Sequence, residues 1–365
     1  SVAPLRLGRG WPTAPVPATL KARWEALLRA EGADREALFE PTRARTVHSA
    51  VAQLPGRPTG TERLAQATGP CPDPVRVLCA PFDEQWLLPD HRLIDAARPE
   101  LWRVADDHQI FAVESAEGMP LLATSVLPTL RAGRIRPLYR RPGGAEPNLA
   151  PGLPAYLAGR LDRAVTPPDI LAWALAAIRA DHTVPLTEDP DLWSSGVALG
   201  HRALWLMRRD GERPKLPGGR RPYVRAPLPA RPLTIRYDAE EEALHLDEGR
   251  ISPVPPEAWD FRTGEARVLE AWFTTRTQQA EPGTLSAIAP TTWPQQQTSE
   301  LLELITVLTL LADVRTQRTE LEIKSPITAA DLTAAGVLPP PDTSRKPASI
   351  LEHTEEGPAG QLTLL

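Results

Sequence analysis

The chain has 365 residues, 42% hydrophobic and 24% charged, with a formal net charge of −5. That is enough to bury a core as one large or two ordinary domains, and ten tryptophans exclude a wholly disordered chain. Proline is the outlier at 42 residues, more than twice the usual ~5%, and the excess of Ala, Pro and Arg reads as a GC-rich coding genome. Residues 17–67 carry a helical pattern, with Leu20, Trp24, Leu27 and Leu28 at i, i+4, i+7 and i+8. Short β-like runs follow at 75–80, 86–88, 109–113, 121–127 and 135–139. Thr166-Pro167-Pro168-Asp169 opens a helix running to about residue 180, Thr166 as its N-cap and Pro167 at its first position. A second helix spans 191–208, and 211–232 is a Pro/Gly/Arg loop. Residues 233–237 and 243–246 make a hairpin with the acidic 238–242 in its turn. Residues 256–272 read as helical. The longest clean helix is 299–321, where Leu301, Leu304, Ile305, Leu308, Leu311 and Ala312 form one apolar stripe. The fold class is α+β: mixed sheet regions with packed helices, long Pro-rich loops and a C-terminal helix. The expected division is an N-terminal helical segment over 1–70, a main domain over 71–335 that includes the C-terminal helices, and a disordered tail over 336–365.

Much chemistry is missing. Cys71 and Cys79 cannot build a disulfide framework or, alone, a zinc site. The seven His show no HxxxH or HExxH spacing, and no run approaches ~18 consecutive apolar residues. A cytoplasmic protein holding no metal is the expectation, and the start at Ser1 reads as a fragment of something longer. There is no phosphate loop, dinucleotide fingerprint or nucleophile elbow. The nearest enzyme-like signal is Asp313 with Glu322-Ile323-Lys324, which mimics the acidic-plus-ExK spacing of Mg²⁺-dependent nucleases. Trailing off the end of a long helix, such alternating charge normally means a solvated face. No catalytic residue is assigned.

What stands out is basic clustering. The net charge is the sum of +5 over 1–225 (30 basic, 25 acidic) and −10 over 226–365 (11 basic, 21 acidic). Arg131, Arg134, Arg136, Arg140 and Arg141 lie within eleven residues with no acid among them. Arg208, Arg209, Arg213, Lys215, Arg220, Arg221 and Arg225 lie within eighteen, against two acids. Each cluster has a Gly pair and a tyrosine, Tyr139 or Tyr223. Guanidinium groups pair with phosphates and guanine edges, and glycine lets the backbone approach closely. These residues, with the tyrosines as stackers and Asn148 as an adenine reader, are the candidate DNA contacts; the alternative is Arg filling solvated loops.

Three segments narrow the reading. Residues 80–90, APFDEQWLLPD, resemble the RPFDxRW(L/I)YYD signature of the C-terminal specificity domain of type ISP restriction–modification enzymes. Residues 166–178, TPPDILAWALAAI, are similar to that family's sPEDIFyYIYAvL helix, and 254–276, VPPEAWDFRTGEARVLEAWFTTR, to its VPeeVWdFxIGGYqVLekWLKdR. The three lie in the family's order and, with residues 184–207 between them, span roughly 40–320. Departures are plain: Ala80 and Gln85 stand where the first signature has Arg, and Glu265 and Ala266 where the third has Gly-Tyr. Phe82, Trp86, Trp173, Trp259, Phe261, Leu269 and Trp272 are expected to be mostly packing residues.

The resemblance implies that 71–335 is a DNA target-recognition domain of a restriction–modification or phage-defence enzyme, without catalysis of its own. It implies double-stranded DNA as partner, with a methyltransferase part, and helicase or nuclease parts, on the same polypeptide or complex. S-adenosylmethionine is then expected only in an upstream adenine methyltransferase, with no cofactor in this chain. The competing readings are a protein-interaction module, docking partners through its Pro-rich loops and the stripe of 299–321, and a Mg²⁺-dependent nuclease through Asp313, Glu322 and Lys324.

Overall fold

Proline fixes φ and lacks an N–H, so it suits the first turn of a helix, where that donor has no intrahelical partner. The computed structural model describes residues 1–57, 62–114, 121–130, 133–208 and 220–345, and the backbone of 354–356 and 362–364. After β1 (Thr13–Ala14), helix α1 (Pro17–Arg29) opens on such a proline, and α2 (Gly32–Phe39) follows. The helical stretch expected to residue 67 ends there. Pro41 disfavours a right-handed helical conformation at Glu40, which takes φ 59°, and only a 3-10 turn at Leu64–Gln66 follows. Next come β2 (Val75–Ala80), β3 (Asp83–Leu87), α3 (Pro99–Arg103), β4 (Phe111–Glu114), β5 (Leu121–Thr124), β6 (Leu127–Pro128) and β7 (Arg134–Pro137). They form two sheets, β1-β3-β2-β6 with β2 and β6 parallel, and the antiparallel β5-β4-β7. The runs expected at 121–127 and 135–139 are each split, the second continuing into a hairpin of β8 (Tyr139–Arg141) and β9 (Ala145–Pro147).

The helical layer is α4 (Leu153–Leu161), α5 (Pro167–Ala177) and, after β10 (Leu186–Thr187), α6 (Pro190–Met207). Thr166 caps α5 as its sequence predicts, in a capping box with Asp169. His201 Nε2 lies 2.8 Å from Asp169 Oδ1 and ties α6 to that cap. Gly196 and Gly200, one turn apart on α6, let the two helices meet closely: a Cβ on Gly200 would lie 1.8 Å from the Ala172 carbonyl oxygen. Trp173 and Trp193 stack beside them with ring centroids 4.9 Å apart.

The expected hairpin is β12 (Ile235–Asp238) and β13 (Ala243–Leu246), but it is the centre of something larger. With β11 (Tyr223–Ala226), inside the stretch expected to be loop, and β14 (Gly249–Ser252), it forms the antiparallel sheet β11-β14-β13-β12. The helix expected over 256–272 is interrupted: α7 (Pro256–Trp259) is followed by the tight pair β15 (Arg262–Thr263) and β16 (Ala266–Arg267), turned at Gly264 (φ 62°), and then α8 (Val268–Thr277). Helix α9 (Gln295–Thr319) buries Leu301, Leu304, Ile305, Leu308 and Leu311 in the chain's own core against α6, α8 and the β11–β14 sheet. That stripe is therefore not a surface for a partner. The chain closes with β17 (Pro326–Ile327) paired to β10, then α10 (Ala329–Ala334) and α11 (Asp342–Arg345). Backbone pairing joins Thr354–Glu356 to Leu362–Leu364.

Distant parts are held together by buried arginines. The Arg23 guanidinium donates to the carbonyls of Trp11, Thr13, Ser286 and Ile288, and burial pushes its pKa down to about 10. Leu285 joins Leu20, Trp24 and Phe39 in one core cluster, so the N-terminal helices pack on a segment far along the chain. Arg276, whose side chain is fully buried, donates to Asp83 at 2.7 Å, stacks on Trp272, and lies 3.7 Å from Glu300. This ion pair joins β3 to α8. Gln85, in the place of the family's second Arg, donates to the other oxygen of Asp83.

Two outcomes are expected. Removing one partner of a buried ion pair strands the other, so Arg276→Met should lower stability by about 3–5 kcal/mol in urea unfolding. At Asp169, burial favours the neutral acid, but hydrogen bonds from His201 and Thr166 outweigh it and hold the pKa below the usual range. A depressed acid stabilises the fold above its unfolded pKa, and that stabilisation disappears as pH falls through the folded pKa. Asp169→Asn should therefore melt lower than the native chain near neutral pH, with the gap closing in acid.

Candidate nucleic-acid interface

Alternation along β7 leaves Arg134 and Arg136 exposed and Ile135 buried. Their cross-strand partners are Glu114 and Ala112, and Ala112 packs with Ala123 against Leu171, Leu175 and Leu204 of α5 and α6. The two arginines thus emerge at the β7 rim of the sheet face that the helices cover. Val2 bridges to Ile135 along that edge, Arg134 donates to Ser1 Oγ, and Arg136 pairs with Glu114. Arg131 lies outside the described residues.

The β8–β9 hairpin turns through Gly143 and Gly144, both at positive φ, with the Gly143 N–H donated to Asp106. Glu146 accepts from both Arg140 and Arg141, and Arg140, only 10% exposed, also donates to the Thr343 carbonyl. Tyr139 is half-buried against the α5–α6 cluster. The Asn148 amide donates to the Pro137 carbonyl at 2.9 Å while its backbone N–H donates to Leu138. Asn148 is therefore held as a turn residue rather than presented to a base, and Arg140 is committed inside the fold.

In the second cluster Arg209, Arg213 and Lys215 lie outside the described residues, and Arg208 follows the last turn of α6. Arg220, Arg221, Tyr223 and Arg225 are exposed along the start of β11, an edge strand. Arg220 lies 3.8 Å from Glu242. A bulge between Val224 and Ala226 frees Arg225, whose guanidinium stacks 3.7 Å over the Tyr223 ring. The cluster reading passed over Arg202 and Trp205 on the outer face of α6, and Arg236, His245 and Arg250 on the other three strands of the β11 sheet. For the second group the signal was period-two alternation in the hairpin, not charge density.

The signature residues have a different place. Trp173, Trp259, Phe261, Leu269 and Trp272 are buried as expected, and Phe82 meets Phe261 edge-on, joining the first signature to the third. Burial pushes the Cys71 and Cys79 thiols up to about 11 and about 12, so both stay protonated near neutral pH. Glu322 and Lys324 are exposed and 3.5 Å apart. Among the described residues no three His, Cys, Asp or Glu side chains converge as a metal set, and no helix is long and apolar enough to cross a membrane. Asn148→Ala should cost about 0.5–1.5 kcal/mol for the lost hydrogen bond, seen as a lower melting temperature, with duplex affinity unchanged in a filter-binding assay.

Comparison with known proteins gives a concordant picture. The family model described as the type ISP C-terminal specificity domain matches residues 2–304. No curated protein shows significant similarity to the chain. Among solved structures, the cryo-EM structure of a DrdV–DNA complex is similar at TM-score 0.62 and 15% identity, over 88% of this chain and 36% of that one. LlaBIII, an ATP-dependent type ISP restriction–modification enzyme bound to DNA, is similar at 0.58 and 12%, over 88% and 23%. A nuclease-deletion mutant of the type ISP enzyme LlaGI, in complex with a DNA substrate mimic, gives 0.55 and 12%, over 89% and 28%. At these identities the likeness is one of fold, and the chain spans about a quarter to a third of the length of these structures.

Proposed function

The chain belongs to the type ISP C-terminal specificity domain family, and on that premise we propose that it recognises a sequence in double-stranded DNA as the specificity part of a larger restriction–modification enzyme. The match over residues 2–304 carries the reading, and the exposed basic groups give it a physical form. Arg134 and Arg136 at the β7 rim, and Arg220, Arg221 and Arg225 along β11, would neutralise phosphates and fix register on the duplex. Tyr223, held flat by Arg225, offers a face for a sugar or an unstacked base. Bases would be read by other exposed side chains, with Arg202 and Trp205 on α6 as candidates.

Catalysis would belong elsewhere. An adenine methyltransferase holding S-adenosylmethionine would act on a base flipped from the stack, while this domain clamps the flanking duplex. The burial of the α9 stripe removes the main support for an interaction module, and the mutual pairing of Glu322 with Lys324 fits a solvated face better than a nuclease centre.

The test is a salt series of duplex binding by fluorescence anisotropy. Each phosphate contact adds about 0.9 to the slope of log affinity against log salt. Arg134→Ser with Arg136→Ser, and separately Arg221→Ser with Arg225→Ser, should each flatten that slope by about one to two and weaken binding without changing sequence preference. Absence of duplex binding at about 50 mM salt would overturn the assignment, and unchanged slopes would displace the surface.

A further inference from the structure

Helix α6 has two unlike sides, and the inner one is locked into the fold. Gly200 meets the Ala172 carbonyl of α5, and a Cβ on Gly196 would lie 2.5 Å from the Trp173 ring. Leu199, Ala203 and Leu206 are buried in one core cluster with α9. Trp193 stacks on Trp173, whose indole N–H donates to the Pro185 carbonyl, and His201 holds Asp169. Neither rolling nor sliding of α6 is possible without breaking these contacts.

The outer side follows from the helical period of about 3.6 residues. Ala198 and Trp205 share its central line, with Ser195 and Arg202 along one flank and His201 and Arg208 along the other. All of these are exposed except the half-buried His201. After Asp191 in its first turn the helix has no acid, whereas a merely solvated face usually mixes both signs. Glu84 and Glu303 gather with Leu206 and Met207, on the inner side. Of the ten tryptophans only Trp205 is exposed, at 38%. Large apolar area left in water beside arginine is the composition of a contact surface.

We propose that α6 is the recognition helix: its outer face lies in the major groove of the duplex, where Arg202 reads a guanine and Trp205 packs on a thymine methyl. The inference rests on the duplex-recognition reading above and names within it the element that reads bases. The major groove, about 12 Å wide, admits an α-helix. Ser195 and Ala198 keep one half of the face low, so that the base edges can approach the helix closely. Arg202 brings the planar fork that matches guanine O6 and N7, and Arg208 at the helix end meets a phosphate. Base reading demands side chains held to a fraction of an ångström, which a helix anchored along its whole inner side provides better than a loop.

The experiment selects bound duplexes from a random-sequence pool with the full chain, and follows with salt series on the selected duplex. The native chain should enrich one motif containing a G·C pair. Arg202→Lys keeps the charge but loses the fork, so discrimination at that pair should fall about tenfold or more while the salt slope stays unchanged. Trp205→Ala should relax preference at an A·T pair of the same motif. Ala198→Glu, which sets an acid on the exposed central line, should weaken binding at least about tenfold with its melting temperature unchanged. If the native motif is kept by both Arg202→Lys and Ala198→Glu, α6 is not the reader and the inference is overturned while duplex recognition stands. Arg202→Lys, a like-charged change at an exposed site, decides even where Ala198→Glu fails to fold. If the native chain enriches no sequence, both readings fall together.

Discussion

A chain with 42 prolines is short of backbone donors, and its fold depends on how that shortage is met. Each proline keeps a carbonyl acceptor but lacks an N–H, and irregular segments offer few other donors in register. Arginine, with five donors in a planar fork, answers the need. Arg9 donates to the Glu40 and Leu93 carbonyls, and Arg35 to those of Leu28, Ala30, Leu64 and Ala65. Arg23 serves 11, 13, 286 and 288, while Arg318 reaches from α9 to the end of α5 at Ala176 and Ile178. Where the segments would otherwise hold unsatisfied carbonyls, a guanidinium sits among them.

The arginine count therefore sorts into two populations. One is buried and directed at carbonyls or at single acids, as with Arg92 on Asp90 and Arg276 on Asp83. The other is exposed at strand edges and on a sheet face, where it sets the local potential of a chain whose net charge is negative. Charge density along the sequence does not separate them. Arg140 and Arg141 stand in the densest basic run, yet both are bound to Glu146. Arg236 and Arg250 stand in the acidic half, yet they face outward beside His245.

Much of the architecture was legible where a local rule acts. The capping of α5 by Thr166, the α6 and α9 helices and the β12–β13 turn all rest on contacts within a few residues. What was not legible depends on partners far away. Strand β11 has no clear alternation and exists because β14 pairs with it; the turn at Gly264 divides an apolar pattern that periodicity alone reads as one helix. The split of 121–127 follows the same logic, whereas the end of the helical run at Glu40 rests on the neighbouring Pro41, a local signal. At the interface, the family signatures were recognisable, but their residues turned out to be the interior link between β3 and α8. The contact candidates had to be sorted by pairing, which a linear sequence does not show.

The Arg23 clamp has a consequence for the order in which the molecule can come apart. Four hydrogen bonds from one side chain fasten residues 11–13 to residues 286–288, closing the intervening chain into a loop. The first helix cannot peel away while that latch is shut, and the segment before α9 cannot detach without opening it. Fraying from either side is thereby converted into a shared event, so sheets and helices between the two attachment points gain or lose their order together. On the function proposed above, a domain gripping one duplex at two separate sets of residues would have a use for that kind of all-or-none rigidity.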